Sequence, residues 1–380
     1  MIKTIYFSDV NPISSQEISA IKKEISATIK KKDFILGNSV KKFEEEFSNL
    51  SKINYSVGCA SGTDALTLAL MSLNLQKNDE IIVPSMSYIS TGLAVILNNN
   101  QLILSDIDTS TGLISIESVA RKITKKTKAI IPVNLYGQKV DLKKLRKIIG
   151  NKIKMIEDSA QSHFAFSCYG CPKYLQNKCC KKRRNEQFAD MSCYSFYPAK
   201  NIGAYGDGGL VATNHKKYYT KLLTIRNLGA VKKNMHTELG INSRLDTIQA
   251  IVLRKKLKSI LKLNDYRRKV AKYYDENLKM INKIKLTKTN PGSSRHLYII
   301  RSSKRDKLLR FLLNKKILCQ THYSYSLNKL KPFRNKIKNK KSLKNSERWA
   351  KECLSLPIQP KQKKNQSLRV VKEIKRFFGN

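Results

Sequence analysis

Short apolar runs alternate with helical stretches through the first two thirds of the chain. IIVP at 81–84, LILSDID at 102–108, AIIPVNLYG at 129–137 and IKMIED at 153–158 have the length and content of strands. Their alternation with helical sequence predicts an α/β domain built on a mostly parallel sheet. Ligands of such sheets gather outside the carboxyl ends of the strands, so the residues just after these runs are the first candidates for chemistry.

From Ser243 a long helical pattern begins, with Ser243 and Asp246 in capping-box spacing ahead of Leu245, Ile248, Ile251 and Val252. It is expected to lead out of the large domain. Beyond it, HLYIIRS (296–302) reads as a strand, RDKLLRFLLNKK (305–316) as a helix and ILCQTHY (317–323) as an extended segment, together a smaller α+β domain. The expected division is a large domain over 1–253, with its N-terminal segment, and a small C-terminal domain over 254–380. A chain of 380 residues outgrows a single core, which agrees with that division. The one low-complexity bias, the lysine-rich tract at 329–344, reads as a solvated surface segment.

No stretch reaches the roughly 18 apolar residues of a membrane span, and Asp9 falls where a signal peptide needs its apolar run. Eight cysteines at irregular positions favour reduced thiols, so a cytoplasmic location is expected. The formal charge of +46 raises the question of a nucleic-acid partner. However, the lysines are spread along helical faces (Lys22 and Lys23, Lys143 and Lys144, Lys255 and Lys256), with few of the interleaved aromatics that stack on bases. A lysine-rich composition explains this better than a nucleic-acid site, and the positive field would in any case speed capture of anionic substrates.

Three segments carry chemistry. In CASGTDAL (59–66) small residues open a helix whose backbone N–H groups, with the Thr63 hydroxyl, suit a phosphate; Ser61 and Asp64 also have the spacing of an ordinary capping box. In IEDSAQ (156–161) Asp158 directly follows a strand, where a carboxylate can hold a protonated pyridine nitrogen or simply cap the next helix. In SFYPAKNIGAYGDGG (195–209) Pro198 and four glycines surround Lys200, so the backbone can turn sharply and lie close to a bound molecule. Taken together they supply what pyridoxal-phosphate chemistry requires: an amine for a Schiff base, a carboxylate for the pyridine nitrogen and a helix start for the phosphate.

At these residues the chain closely resembles the DegT/StrS family of sugar aminotransferases. The resemblance runs from about Phe34 to about Pro360 through FILG (34–37), SGTDAL, VPSMSY, VNLYGQ, IEDSAQ, SFYPAKNIGAYGDGG and GINSRLDTIQA. It implies the aspartate-aminotransferase fold, a homodimer with shared active sites, and pyridoxal 5'-phosphate held by Lys200. It further implies Asp158 as partner of the pyridine nitrogen, Gln161 near the cofactor's phenolic oxygen and Tyr88 on its ring, although a tyrosine there could equally serve the core. Gly62, Thr63 and Ser195 resemble the phosphate contacts, and Asn242 would reach the phosphate from the neighbouring subunit, with Arg244 touching substrate across the same interface. The reaction implied moves an amino group, from glutamate as the expected donor, to a nucleotide-linked keto-sugar, with a 3-keto sugar favoured over a 4-keto one. Dehydratases of the same family carry His at the lysine position, so Lys200 favours transamination. The rival from another class is a polyanion-binding protein that keeps the fold without catalysis.

The segment between His163 and Asp190 is longer than the hairpin usual in the family. Cys168 and Cys171 form a C-x2-C half-site for tetrahedral zinc, but adjacent Cys179 and Cys180 lack the usual separation, so an exposed reduced loop is favoured over a metal site. His163 lies near the cofactor strand, and His322 sits in THY, which resembles a segment near the sugar pocket; neither has a metal-ligand partner at suitable spacing, and a hydrogen-bonded structural histidine is the favoured reading for each. Cys193 reads as a small core residue.

Overall fold

The computed structural model describes residues 3–8, 10, 13–166, 188–338 and 343–379. Seven strands form its central sheet: β1 (Tyr55–Cys59), β2 (Glu80–Pro84), β3 (Gln101–Ser105), β4 (Thr127–Ile130), β5 (Lys154–Asp158), β6 (Met191–Ser195) and β7 (Gly209–Thr213), in the order β1-β7-β6-β5-β4-β2-β3. The pairs from β3 across to β6 are parallel, and β7 alone runs against its neighbours. The carboxyl ends of β1, β2, β4, β5 and β6 therefore open on one edge.

Both faces of this sheet are covered, which is why its strands read as nearly unbroken apolar runs. On β2, Ile81 and Val83 join the core beneath α3 (Gly62–Met71) and α4 (Ile89–Leu97), while Ile82 points into the opposite core with Ile103, Ile130 and Met155. The run at 129–137 is not one strand. β4 stops at Ile130 and a single tight turn, Leu135–Gly137, follows, with Tyr136 in the left-handed region at φ 65°.

Ahead of the sheet, α1 (Ser15–Lys31) starts on a complete capping box between Ser14 and Glu17. α2 (Asn38–Ser51) follows and packs on α8 (Thr247–Leu257). Between them in the chain lie α5 (Ile116–Ala120), α6 (Leu142–Ile149) and α7 (Lys216–Ile225), then the hairpin β8 (Ala230–Lys232) and β9 (Met235–His236). The capping box expected at Ser243 and Asp246 is not formed. α8 begins after Asp246 with no side-chain cap; the Ser243 hydroxyl donates instead to Asp64 Oδ2 at 2.6 Å and accepts from the Ala60 N–H. A long-range carboxylate acceptor outcompetes the local cap.

A separate apolar core gathers Ile5 with α9 (Ile260–Leu278), α10 (Arg305–Asn314), α12 (Lys364–Phe378) and the antiparallel sheet β10 (Lys285–Leu286), β11 (Tyr298–Arg301) and β12 (Cys353–Leu356). The boundary drawn at 253/254 falls inside α8. Leu253, Leu257 and Ile260 share a cluster with Phe43 and Phe47, and the change of core comes along α9, between Ile260 and Val270. α11 (Lys344–Glu352) touches β11, and its fully buried Trp349 joins the core that also holds Ile82, Ile103 and Ile130, with its Nε1 donating to the Tyr136 hydroxyl at 2.9 Å. In the lysine-rich tract, Phe333, Ile337 and Leu343 are buried in the large sheet's core, so its described part is anchored by apolar residues rather than wholly solvated.

Candidate active site

β5 ends on two neighbouring carboxylates that point to opposite faces. Glu157 is fully partnered: Lys139 pairs with it, and it accepts from Asn134 Nδ2 at 2.6 Å and the Ser192 hydroxyl at 2.9 Å. These partners hold its carboxyl below the usual range despite burial. Asp158 has no such cation in contact. Its Oδ2 accepts from the Thr91 hydroxyl at 2.8 Å and its Oδ1 from the Ala160 N–H at 3.1 Å. Burial pushes its carboxyl up, opposed by those two bonds and by the charge of Lys200. A buried carboxylate left short of positive charge favours a cationic ligand.

Lys200 sits in the turn after β6, its N–H bonded to the Tyr197 carbonyl. Its amine makes no hydrogen bond or ion pair with the described residues. Burial, countered in part by Asp158, lowers its pKa from 10.5 to about 8. The same turn needs Gly203, where a Cβ would fall 2.2 Å from the Pro198 carbonyl oxygen. Three imidazoles feel the charge of this amine, and all three are held neutral, chiefly by burial: His163, His322 and His296.

The helix start at Gly62 lies against the end of β6. A Cβ on Gly62 would meet Ser195 Cβ at 2.5 Å, so only glycine lets the two come together. Thr63 and Ser90 share a hydrogen bond of 2.7 Å, which joins the first turns of α3 and α4, and the first N–H groups of a helix suit an anion. Ser61 caps α3 by accepting the Asp64 N–H, but the Asp64 carboxylate turns to Ser243 rather than completing a box.

Gln161 is buried and tied at both ends: its oxygen accepts the Tyr136 N–H at 2.7 Å and its nitrogen donates to the Tyr323 hydroxyl at 2.9 Å. Tyr88 is 58% exposed, its ring 5.7 Å from that of Tyr323. His322 stacks on Phe7 and pairs its Nδ1 with the Ser355 hydroxyl at 2.8 Å; burial takes it to about 4. His163 is fully buried, its Nε2 2.9 Å from the Ser195 carbonyl, and Cys193 lies in the sheet core. Asn242 is exposed, bridged through its backbone to Asn227, whose side chain accepts from Arg244 at 3.1 Å. Neither reaches the Lys200 group within this chain. Cys168, Cys171, Cys179 and Cys180 lie outside the described residues.

Sequence reading missed Thr91, Tyr323 and His296. Thr91 is one helical turn past Tyr88 and faces the strand ends, a hint available from spacing; the other two come from the far end of the chain and leave no local signal.

The donor set fits pyridoxal phosphate: an amine without a partner among the described residues and with its pKa lowered to about 8, a buried carboxylate with no cation in contact, and a helix start at a glycine packed so closely on Ser195 that a side chain would not fit. The sheet order and this site define a pyridoxal-phosphate-dependent aminotransferase of fold type I. The solved structure of S. venezuelae DesV in complex with a ketimine intermediate superimposes with a TM-score of 0.91 at 31% identity, over 99% of both chains. Residues 15–375 match the DegT/DnrJ/EryC1/StrS aminotransferase family, and the chain belongs to it. Its curated relatives include the UDP-N-acetyl-3-dehydro-α-D-glucosamine 3-aminotransferase of Acidithiobacillus ferrooxidans, 34% identical over 90% of this chain and 89% of that one. Another is the dTDP-3-amino-3,4,6-trideoxy-α-D-glucose transaminase of Streptomyces venezuelae, 33% identical over 90% and 88%. Among the described residues no helix is long and apolar enough to cross a membrane.

Proposed function

We propose that this enzyme transfers an amino group from glutamate to the 3-keto group of a nucleotide-linked sugar, with Lys200 and Asp158 as its catalytic pair. The observation that carries the reading is the unpartnered amine of Lys200 set within the field of the uncompensated Asp158 carboxylate. The names of the relatives, which specify 3-amino and 3-dehydro sugars, support the keto position. A lysine at this position, in place of histidine, weighs against dehydration.

Bound here, pyridoxal phosphate supplies an aldehyde that condenses with amines and a ring that draws electrons from the adjoining carbon. Asp158 would hold the positive charge of the ring nitrogen. With the cofactor bound, Lys200 would be the base that takes the proton from the donor carbon and the acid that gives one back to the cofactor's carbon, and an amine pKa lowered to about 8 suits both roles. Gln161, fixed by Tyr136 and Tyr323, keeps one N–H for the phenolic oxygen. Tyr88 would cover the ring, while the N–H groups at Gly62 and Thr63, with Ser195, would take the phosphate. His322 is assigned to the sugar side, next to Tyr323.

A homodimer with shared sites is part of the same reading. Leu228, Val231, Met235 and Leu239 around the β8–β9 hairpin are all exposed, Leu239 at 91%, an apolar patch that a second copy would cover. Asn242 lies beside it, where it could reach the partner's phosphate, with Arg244 toward the partner's substrate.

Incubating the protein with cofactor, glutamate and a panel of UDP- and dTDP-linked 3-keto and 4-keto sugars, and following the aminated product by mass spectrometry, tests the assignment. Turnover confined to 4-keto sugars would refute the keto position, and none at all the enzyme. Gly62→Val should weaken cofactor binding about fivefold to 150-fold, the equivalent of the ~1–3 kcal/mol of overpacking. Unchanged affinity, measured by the cofactor's absorbance, would take the phosphate away from this helix start.

A further inference from the structure

Asn201, the residue after Lys200, is 5% exposed, and both ends of its amide are engaged. Its nitrogen donates to Asn264 Oδ1 at 2.8 Å and to the Ser294 carbonyl at 2.9 Å, and its oxygen lies 2.9 Å from His296 Nδ1. A main-chain carbonyl only accepts, so the end facing Ser294 must be the NH2 group. Asn264 gives the same answer from the other side. Its own nitrogen donates to the His163 carbonyl at 3.0 Å, which leaves its oxygen toward Asn201.

The Asn201 oxygen therefore faces His296, and since an amide oxygen only accepts, His296 Nδ1 carries the proton. Burial first, then the charges of Lys200 and Arg267 and the neighbouring His322 and His163, hold this imidazole well below its usual pKa. It is neutral with a single N–H, and Nε2 is a bare acceptor. No hydrogen bond from a described residue to Nε2 is found.

The arrangement has a mechanical logic. The Lys200 side chain must move to carry protons and so cannot itself be pinned; the restraint falls on the next residue. The segment that holds Asn201 also holds Gln161, because the Ser294 hydroxyl donates to the Gln161 carbonyl at 3.2 Å. We propose that Asn201 and His296 are positioning residues for Lys200: an amide–imidazole pair, tautomer-locked, that anchors the lysine's main chain to α9 and to the segment entering β11. This rests on Lys200 being the cofactor lysine.

The test compares His296→Phe, which removes the N–H offered to Asn201, with His296→Asn, whose amide N–H can stand near the place of Nδ1. Two readouts do not depend on turnover: the rate at which Lys200 of the apoprotein is acylated by an amine-directed reagent, located by peptide mass, and the rate at which the apoprotein takes up pyridoxal phosphate, followed by absorbance. His296→Phe should slow both by up to about a hundredfold, the scale set by misplacing a reacting group by an ångström, and His296→Asn should restore most of the loss. Wild-type rates in His296→Phe, or no recovery in His296→Asn, would overturn the proposal. Should the variants fail to fold, the ¹⁵N resonances of histidine-labelled wild-type protein decide it: the Nδ1–H tautomer at His296 upholds the pair, and an Nε2–H form or an imidazolium ends it. Borohydride trapping on wild-type holoenzyme, run alongside, reports whether Lys200 holds the cofactor and so separates that failure from failure of the pair.

Discussion

Lys200→Ala should lower formation of the amino-sugar by up to about 10⁴-fold, the upper range for removing a positioned acid–base group, and should abolish the borohydride-fixed label on this peptide. The expectation follows from the environment of the amine. Burial disfavours its charged form, and Asp158 recovers only part of that, so the folded chain releases the proton near pH 8, whereas the unfolded chain holds it to 10.5. Between those values the unfolded state binds more protons, so this group makes the apoprotein more stable as pH rises through that window, and its charged form opposes folding below it. Acylation of Lys200 in the apoprotein should accordingly climb up to about pH 8 and then level off. A midpoint near 10.5 would mean that the amine lies in water and that the assignment is wrong.

Asp158→Asn should separate the charge of this carboxylate from its shape. The Thr91 hydroxyl also lies 2.7 Å from Ser87 Oγ and can turn to either neighbour, so the site loses little packing. What disappears is the negative charge that would face the ring nitrogen. Breaking a buried ion pair by removing one partner costs about 3–5 kcal/mol, which corresponds to roughly two to four decades in the dissociation constant of the cofactor. Equilibrium dialysis against pyridoxal phosphate would measure the loss, and turnover should fall with it. An unchanged dissociation constant would show that Asp158 does not meet the cofactor.

The residues that could be read in advance share a local signature. Asp158 stands at the end of an apolar run, Gly62 and Thr63 open a helix, and Lys200 is flanked by glycines and a proline that shape its turn; in each case the sequence neighbours create the requirement. Ser243 shows the limit of that logic. Its spacing to Asp246 is that of a helix cap, but its hydroxyl goes to Asp64, 179 positions away. Tyr323 meets Gln161 across 162 positions, and His296 meets Asn201 across 95. A side chain chosen by so distant a partner leaves no periodicity around it.

The alternation of apolar runs and helices, by itself, determined the α/β architecture, because strand and helix periods are local consequences of backbone geometry. It also determined which strand ends would carry chemistry, since a parallel sheet collects its carboxyl ends on one edge. Only the tertiary structure decided which of two adjacent carboxylates is available: Lys139 neutralises Glu157, which Asn134 and Ser192 also hydrogen-bond, and Asp158 is left with no cation in contact. Only it could fix the tautomer of His296, because that proton is dictated by the Asn201 oxygen, whose direction depends in turn on carbonyls from elements far apart in the chain.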